Sequence, residues 1–346
     1  MSRAIEAKEF FDLSLLHQVF DVRTPAEFEH GHIPGAFNLP LFSNEERAEI
    51  GIIYKHQGRE AAMVRGMEIV KPKFMEFIRM AEKFAPLPPP ESRTDDNTTI
   101  LVHCWRGGMR SAGMAQLLGW WGYKVFTLKG GYKSFRRMAL GSFLQKRTIR
   151  VLGGSTGSGK TAILEELGKK GATVLDLELL ANHKGSAFGS LGEQAQPTQE
   201  MFENETAVRL LKVPPDQMLW VEDESQNIGK RIIPNAFFEQ MRTAEVCYVQ
   251  IPVELRIEYL TREYGKFSKE ELIRSIEKIW KRVGPQHAKA AITAIRNGDI
   301  KKACEICLVY YDKSYAHGMA KRQAASVLKK PFMHMNPEAI ARELLQ

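Results

Sequence analysis

Along this chain, short apolar runs alternate with stretches whose apolar residues recur at three- and four-residue steps, a pattern that predicts an α/β architecture. "QVFDVR" at 18–23 reads as a short strand, and "EFEHGHIPGAFNLP" follows as a turn-rich connection. Met63, Met67, Val70, Phe74, Phe77, Ile78 and Ala81 lie at helical spacing, so helices are expected over 58–84. "APLPPPESRTDDNTT", residues 85–99, is proline-rich and polar and predicts an extended surface excursion. Its composition is that of a domain linker, but "TILVHC" at 99–104 is a buried-type strand, followed by a glycine loop, a helix over 110–121 and a strand at "KVFTL". That order is a parallel βαβ unit, which makes the proline stretch an insertion within the first domain. "YKSFRRMALGSFLQ", 132–145, is expected as a closing helix.

A second such pattern starts at "TIRVLGGSTGSGKTAILEELGKKG" and continues with "TVLDLE", "MLWVEDES" and "EVCYVQIP" as strands. From about residue 254 the pattern becomes helical and basic. The expected organisation is a parallel-sheet domain over 1–138, a connection over 139–147, a second α/β domain over 148–253 and a helical extension over 254–346.

Charge refines this division. The net charge is +8, made of +5 over residues 1–147 (21 Lys+Arg against 16 Asp+Glu), −5 over 148–255 (10 against 15) and +8 over 256–346 (18 against 10). Basic ends around an acidic middle point to a polyanion such as nucleic acid, although a solvated helical surface has the same composition. Four cysteines and the lack of a secretory leader predict a reducing, cytoplasmic setting, and no apolar run approaches the roughly 18 residues of a membrane span.

Gly154-Ser155-Thr156-Gly157-Ser158-Gly159-Lys160-Thr161 fits G-x-x-x-x-G-K-[ST] between a strand and a helix. Its backbone N–H groups can converge on a diphosphate, Lys160 supplies a point charge, and the Thr161 hydroxyl suits a magnesium ion. Glu222 and Asp223 in "LWVEDES" are the candidate acids for that metal, with Asp176 a weaker one. ATP, GTP, a prenyl diphosphate or a nucleic-acid phosphate would all find the same donors.

The second candidate site is "HCWRGGMRS". Cys104 ends a strand, and Gly107 and Gly108 let the following N–H groups turn inward at a helix start, a field that favours a thiolate, reinforced by Arg106 and Arg110 if they face the sulfur. Such a sulfur is a nucleophile toward a phosphorus, sulfur or selenium atom carried on an anion. The loop of Trp105, Arg106, Gly107, Gly108, Met109, Arg110 and Ser111 is thus a candidate cradle for the donor anion.

"DVRTPAEFEHGHIPGAFNLP" with this strand-Cys-loop-helix unit resembles a rhodanese domain over residues 5 to about 138, which implies a cysteine that carries a transferable chalcogen. Many small rhodaneses place the arginine five residues after the cysteine, whereas Arg110 is six after Cys104. His-Cys-x5-Arg-Ser also fits a phosphatase signature, so two readings stand at this point: a rhodanese-fold phosphatase with a nucleotide-binding regulatory domain, or transfer from a donor that itself contains phosphate.

A rhodanese-like domain joined to a P-loop domain, with "CWRGGMRS", "GGSTGSGKT", "ANHKGSAFG", "QPTQEMFEN" and "WVEDES", resembles the tRNA 2-selenouridine synthases over nearly the whole chain. The resemblance implies conversion of wobble 2-thiouridine in tRNA to 2-selenouridine through an S-geranyl intermediate. It implies selenophosphate, delivered by a supplying protein, and geranyl diphosphate as donors, with Cys104 as the S-selanyl carrier. On this reading Trp105 is a base-stacking plane or a packing residue, the two readings being equal.

Asp21 and Arg23 are expected to pin loops near Cys104, and His32 to brace its own turn; His30 and His103 lie in the same motifs. Cys304 and Cys307 lack a second ligand pair for zinc and read as neighbours on one helix, and Cys247 reads as core.

Overall fold

The computed structural model describes residues 2–322 and 327–346. The chain divides into two compact units, Met1–Ser142 and Phe143–Gln346.

In the first unit, β1 (Arg3–Ile5), β2 (Val19–Asp21), β3 (Phe37–Asn38), β4 (Thr99–His103) and β5 (Lys124–Leu128) form a wholly parallel sheet in the order β1-β5-β4-β2-β3. β4 is central and buried along its length, as its apolar sequence dictates. Phe20, Ile100 and Val102 pack with Met114 and Leu118 of the helix Met109–Trp121. Cys104 follows β4, at the carboxyl end of the sheet, where open parallel sheets place their ligands.

The proline stretch is an insertion, as expected, because β4 pairs with β2 across it. Helix begins earlier than residue 58, however. A single helical run covers Asn44–Val70, started by a capping box between Ser43 and Glu46 and broken only at Gly58 (φ 89°, ψ −177°). The polar segment 44–57 hides its helicity because its apolar residues do not form one continuous stripe.

In the second unit, β6 (Ile149–Gly153), β7 (Thr173–Leu175), β8 (Leu219–Glu222), β11 (Glu245–Gln250) and β12 (Val327–Pro331) form a parallel sheet in the order β12-β11-β6-β8-β7. Between β8 and β11 a small hairpin joins β9 (Asn227–Ile228) to β10 (Arg231–Ile232). Helices occupy Val253–Tyr264, Lys269–Lys278, Trp280–Val283, Pro285–Arg296 and Ile300–Ala320. The extension expected over 254–346 is therefore helical only in part. Its last segment returns as β12 at the sheet edge, and the helix Pro337–Leu344 buries Ile340, Ala341 and Leu344 with Ile163, Leu164 and Leu167 of the P-loop helix Lys160–Lys169. "VLKKP" lacks a strand signature because an edge strand tolerates lysines and proline.

Candidate active sites

Parallel register builds the first site. Asp21 of β2 lies opposite His103 of β4, so the segments that leave the two strands, with Arg23 and Cys104, start side by side at the same end of the sheet. Arg23 is fully buried; it donates to both Asp21 oxygens (Nε at 3.0 and 2.9 Å, Nη2 at 2.6 Å) and to the Gly31 carbonyl at 2.7 Å. Its guanidinium carbon lies 3.8 Å from the Tyr132 ring centre and 5.7 Å from that of Trp105. Asp21 and Arg23 thus form a buried ion pair that also ties in the Gly31 carbonyl. Burial alone would raise the Asp21 carboxyl, but His103 and Arg23 outweigh it and hold it low.

The Cys104 sulfur is 3% exposed and receives the Gly108 N–H at 3.3 Å, with the Ser111 hydroxyl at 3.2 Å. Residues 105–109 above it are exposed. One backbone donor thus points at the sulfur, with a hydroxyl in hydrogen-bond contact beside it. Ser111 is buried on the first turn of its helix, and its hydroxyl also donates to the Gly108 carbonyl at 3.0 Å.

Arg110 does not face the sulfur. It pairs with Glu27 through Nη1 at 2.7 Å and Nη2 at 3.3 Å. Glu27 is the third helical residue after Thr24, so one carboxylate completes a capping box and anchors the cysteine loop to "RTPAEF". Burial would raise that carboxyl, but the Arg110 bond prevails and lowers it. Arg106 is exposed, Met109 is exposed with its sulfur 3.9 Å from Arg59 Nη2, and Trp105, 37% exposed, packs one side on Tyr132.

The turn at Gly130-Gly131-Tyr132 supports the loop and carries no obvious signal of its own. Tyr132 N–H donates to the Cys104 carbonyl at 2.8 Å and Lys133 N–H to that of Trp105 at 3.1 Å. At Gly131 (φ 60°) a Cβ would strike the Cys104 carbonyl and the Gly107 nitrogen, so only glycine lets the two loops touch.

His103, fully buried, is pushed down to about 4 by burial, with Asp21 at 3.7 Å pulling the other way. Above pH 6.5 it is neutral in both folded and unfolded chains; between 6.5 and 4 only the unfolded chain binds the proton. The expected result is a melting temperature that falls as pH drops from 7 to 4, with roughly 3 kcal/mol at stake and Asp21 adding a further loss below the ordinary carboxylate range. Thermal melts of wild type and His103→Gln check this, the variant showing the flatter profile between pH 6.5 and 4.

The second site forms at the end of the central β6. Gly157 has φ 81° and lies so close to the helix Val253–Tyr264 that a Cβ would sit 2.8 Å from Leu260. Arg256 of that helix clamps the loop, donating to the Thr156 carbonyl at 3.0 Å while paired with Asp312 at 2.8 and 2.9 Å. Tyr315 accepts the Gly154 N–H at 2.9 Å and donates to Asp223 at 2.8 Å; its phenol is pushed up by burial and by Asp223. The Ser155 hydroxyl meets the Tyr248 hydroxyl at 2.8 Å, and buried Ser158 completes the turn. Lys160 Nζ donates to the Gly154 carbonyl at 2.9 Å.

The acids differ from expectation. Asp223 is spent on Tyr315 and Arg322, and one Glu222 oxygen accepts the Leu177 and Glu178 N–H groups at 2.5 and 2.8 Å. Thr161 donates to Glu178 at 3.0 Å rather than facing either residue. Thr161, Glu222 and Asp223 are thus each engaged with other partners, and among the described residues no three His, Cys, Asp or Glu side chains group so as to hold a metal ion. Asp176 caps the helix Leu177–Ala181. Glu178 and Glu224 instead line a cleft of ≈1250 Å³ with Gly157–Thr161, His183 and Lys278. Burial first and Glu178 second push the Glu224 carboxyl well up.

Together these are the sites of a two-domain protein in which a rhodanese-like unit precedes a P-loop unit. The Rhodanese-like domain family matches residues 4–138, and the tRNA 2-selenouridine synthase AAA domain family matches residues 147–297. A Shewanella woodyi protein named tRNA 2-selenouridine synthase is 34% identical, with 95% of this chain and 96% of the relative aligned. Two relatives of the same name, from Nitrosomonas eutropha and Nitrosomonas europaea, are 38% and 36% identical over 71% of this chain, which spans 62% and 63% of their lengths. The chain belongs to the tRNA 2-selenouridine synthase family. No helix among the described residues is long and apolar enough to cross a membrane.

Proposed function

We propose that this protein is a cytoplasmic transferase that replaces the sulfur of a wobble 2-thiouridine in tRNA by selenium, through an S-geranyl intermediate, with the two steps divided between its two units. The observation that carries the reading is Cys104, with the Gly108 N–H aimed at its sulfur and the Ser111 hydroxyl beside it, in a chain that also has a complete phosphate loop.

The first step needs a diphosphate held while its alkyl carbon is attacked. The thiocarbonyl sulfur attacks C1 of the geranyl chain, the C1–O bond breaks, and inorganic diphosphate stays with Gly154–Thr161 until release. Alkylation at sulfur makes the N3 proton of the base acidic, and it leaves to solvent in the open cleft. Geranylation turns a poor leaving group into a thioether on an electrophilic carbon. The Cys104 thiolate attacks the selenium of selenophosphate, and the Se–P bond breaks with its electron pair on phosphorus, releasing phosphite. The resulting Cys–S–Se⁻ attacks C2 as geranyl thiol departs, and a thiol reductant then cleaves the S–Se bond, freeing the 2-selenouridine and restoring Cys104. A wobble base is single-stranded and can be splayed out, and the free flank of Trp105 offers it a stacking plane beside the cysteine.

A rhodanese-fold phosphatase is disfavoured because Arg110, the residue its signature needs on the phosphate, is bound to Glu27. The test is mass spectrometry of nucleosides from 2-thiouridine tRNA incubated with protein and each donor, singly and together. Geranyl diphosphate alone should add a geranyl group, and both donors together with a thiol reductant should exchange sulfur for selenium. An unaltered nucleoside in every mixture refutes the proposal.

A further inference from the structure

The phosphate loop opens on one side into a small second pocket of ≈40 Å³. Thr156, Ser186, Phe188, Leu260, Tyr264 and Tyr311 line both this pocket and the large cleft, so the two adjoin across these side chains. Deeper in, the walls are Leu272, Ile276, Ile295, Ala303, Cys304 and Cys307. A water of roughly 10–15 Å³ probe volume would fit here, but it needs two or more polar partners. The deep wall offers none beyond two thiols.

Those thiols behave as apolar surface. Burial pushes Cys304 up to about 11 and Cys307 up to about 12, so both stay protonated. A nucleoside at this end of the ligand would leave its base and ribose polar groups unpaired against aliphatic side chains, a cost of about 1–3 kcal/mol each. A branched hydrocarbon end has no such cost and gains from leaving water.

We infer that the ligand of the phosphate loop is held head to tail, its diphosphate on Gly154–Thr161 and the end of its hydrocarbon chain between Ile276 and Cys304, and that these two residues set the chain length accepted. The inference rests on the prenyl-diphosphate reading of the loop and adds the residues that measure the tail. Leu260 is the hinge of the arrangement, since it packs on Gly157 and lines both cavities. The pocket volume matches only the last few carbons of a short prenyl chain, so the middle of the chain runs along Leu260 and Tyr264 in the cleft. It also gives Cys304 and Cys307 a role: they are the floor of a tail pocket and not a redox pair.

The experiment compares dimethylallyl, geranyl and farnesyl diphosphate on 2-thiouridine tRNA with full-length wild type, Cys304→Met, which narrows the pocket, and Ile276→Ala, which deepens it. The S-prenylated nucleosides are counted by mass spectrometry. Expected are a wild-type preference for geranyl, a shift of about tenfold toward dimethylallyl in Cys304→Met, and a shift of about tenfold toward farnesyl in Ile276→Ala. Inhibition by inorganic diphosphate, unchanged across the three proteins, shows that the phosphate loop is intact. If the wild type prenylates but the ratios stay fixed in both variants, the tail pocket lies elsewhere while the prenyl reading stands. If the wild type transfers none of the three chains, the tail assignment falls together with that reading.

Discussion

Cys104→Ser is expected to abolish selenium incorporation, on the order of 10³-fold or more, while leaving geranyl transfer intact, so that S-geranyl nucleoside accumulates. A serine oxygen keeps the Gly108 N–H bond but cannot carry selenium through a labile chalcogen bond. The neighbouring Ser111→Ala should be milder, about tenfold, because it removes one polar contact of the sulfur and leaves the Gly108 N–H. Nucleoside mass spectrometry of 2-thiouridine tRNA given both donors and the thiol reductant reads each outcome directly. Loss of geranyl transfer in Cys104→Ser would mean that the steps are not divided as described.

Lys160→Ala is expected to give the converse result. Prenyl transfer should fall by about 10²–10³-fold, because Lys160 is the cationic side chain of a loop whose other donors are backbone amides and hydroxyls. Selenium exchange on tRNA that already bears the geranyl group should continue at the wild-type rate, since Cys104 and its partners belong to the other unit. Supplying pre-geranylated tRNA to both variants separates the halves: Lys160→Ala completes the reaction and Cys104→Ser does not. Prenyl transfer unimpaired in a folded Lys160→Ala protein would remove the phosphate loop from the account.

Both reacting centres are legible in the sequence for the same reason: each is a contiguous loop between a buried strand and a helix, and local spacing encodes local geometry. Asp21 and Arg23 are legible too, because parallel register carries them to the strand end beside Cys104. What spacing leaves hidden is which side chains pair at long range around those loops. Glu27, which takes Arg110 away from the sulfur, is 83 positions from it, and Tyr315, which fills the gap between Gly154 and Asp223, is 161 positions from Gly154. The acids in "WVEDES" mislead because a carboxylate at a strand end looks the same whether it faces a metal or, like Asp223, an arginine and a phenol. β12 stays hidden because its alternation is interrupted by Lys329 and Lys330, which an edge position tolerates. The pocket beside the loop is assembled from helices over residues 253–320 whose apolar stripes show burial without showing what they enclose.

Selenium carriage by Cys104 is tested most directly on the protein alone. Incubation with selenophosphate, followed by peptide mass spectrometry without reductant, should place one selenium atom on the peptide containing Cys104, and addition of geranylated tRNA and then a thiol reductant should discharge it into the nucleoside. Selenium on Cys247, Cys304 or Cys307 instead, or nucleoside exchange that proceeds with Cys104 blocked by an alkylating reagent, would contradict the account.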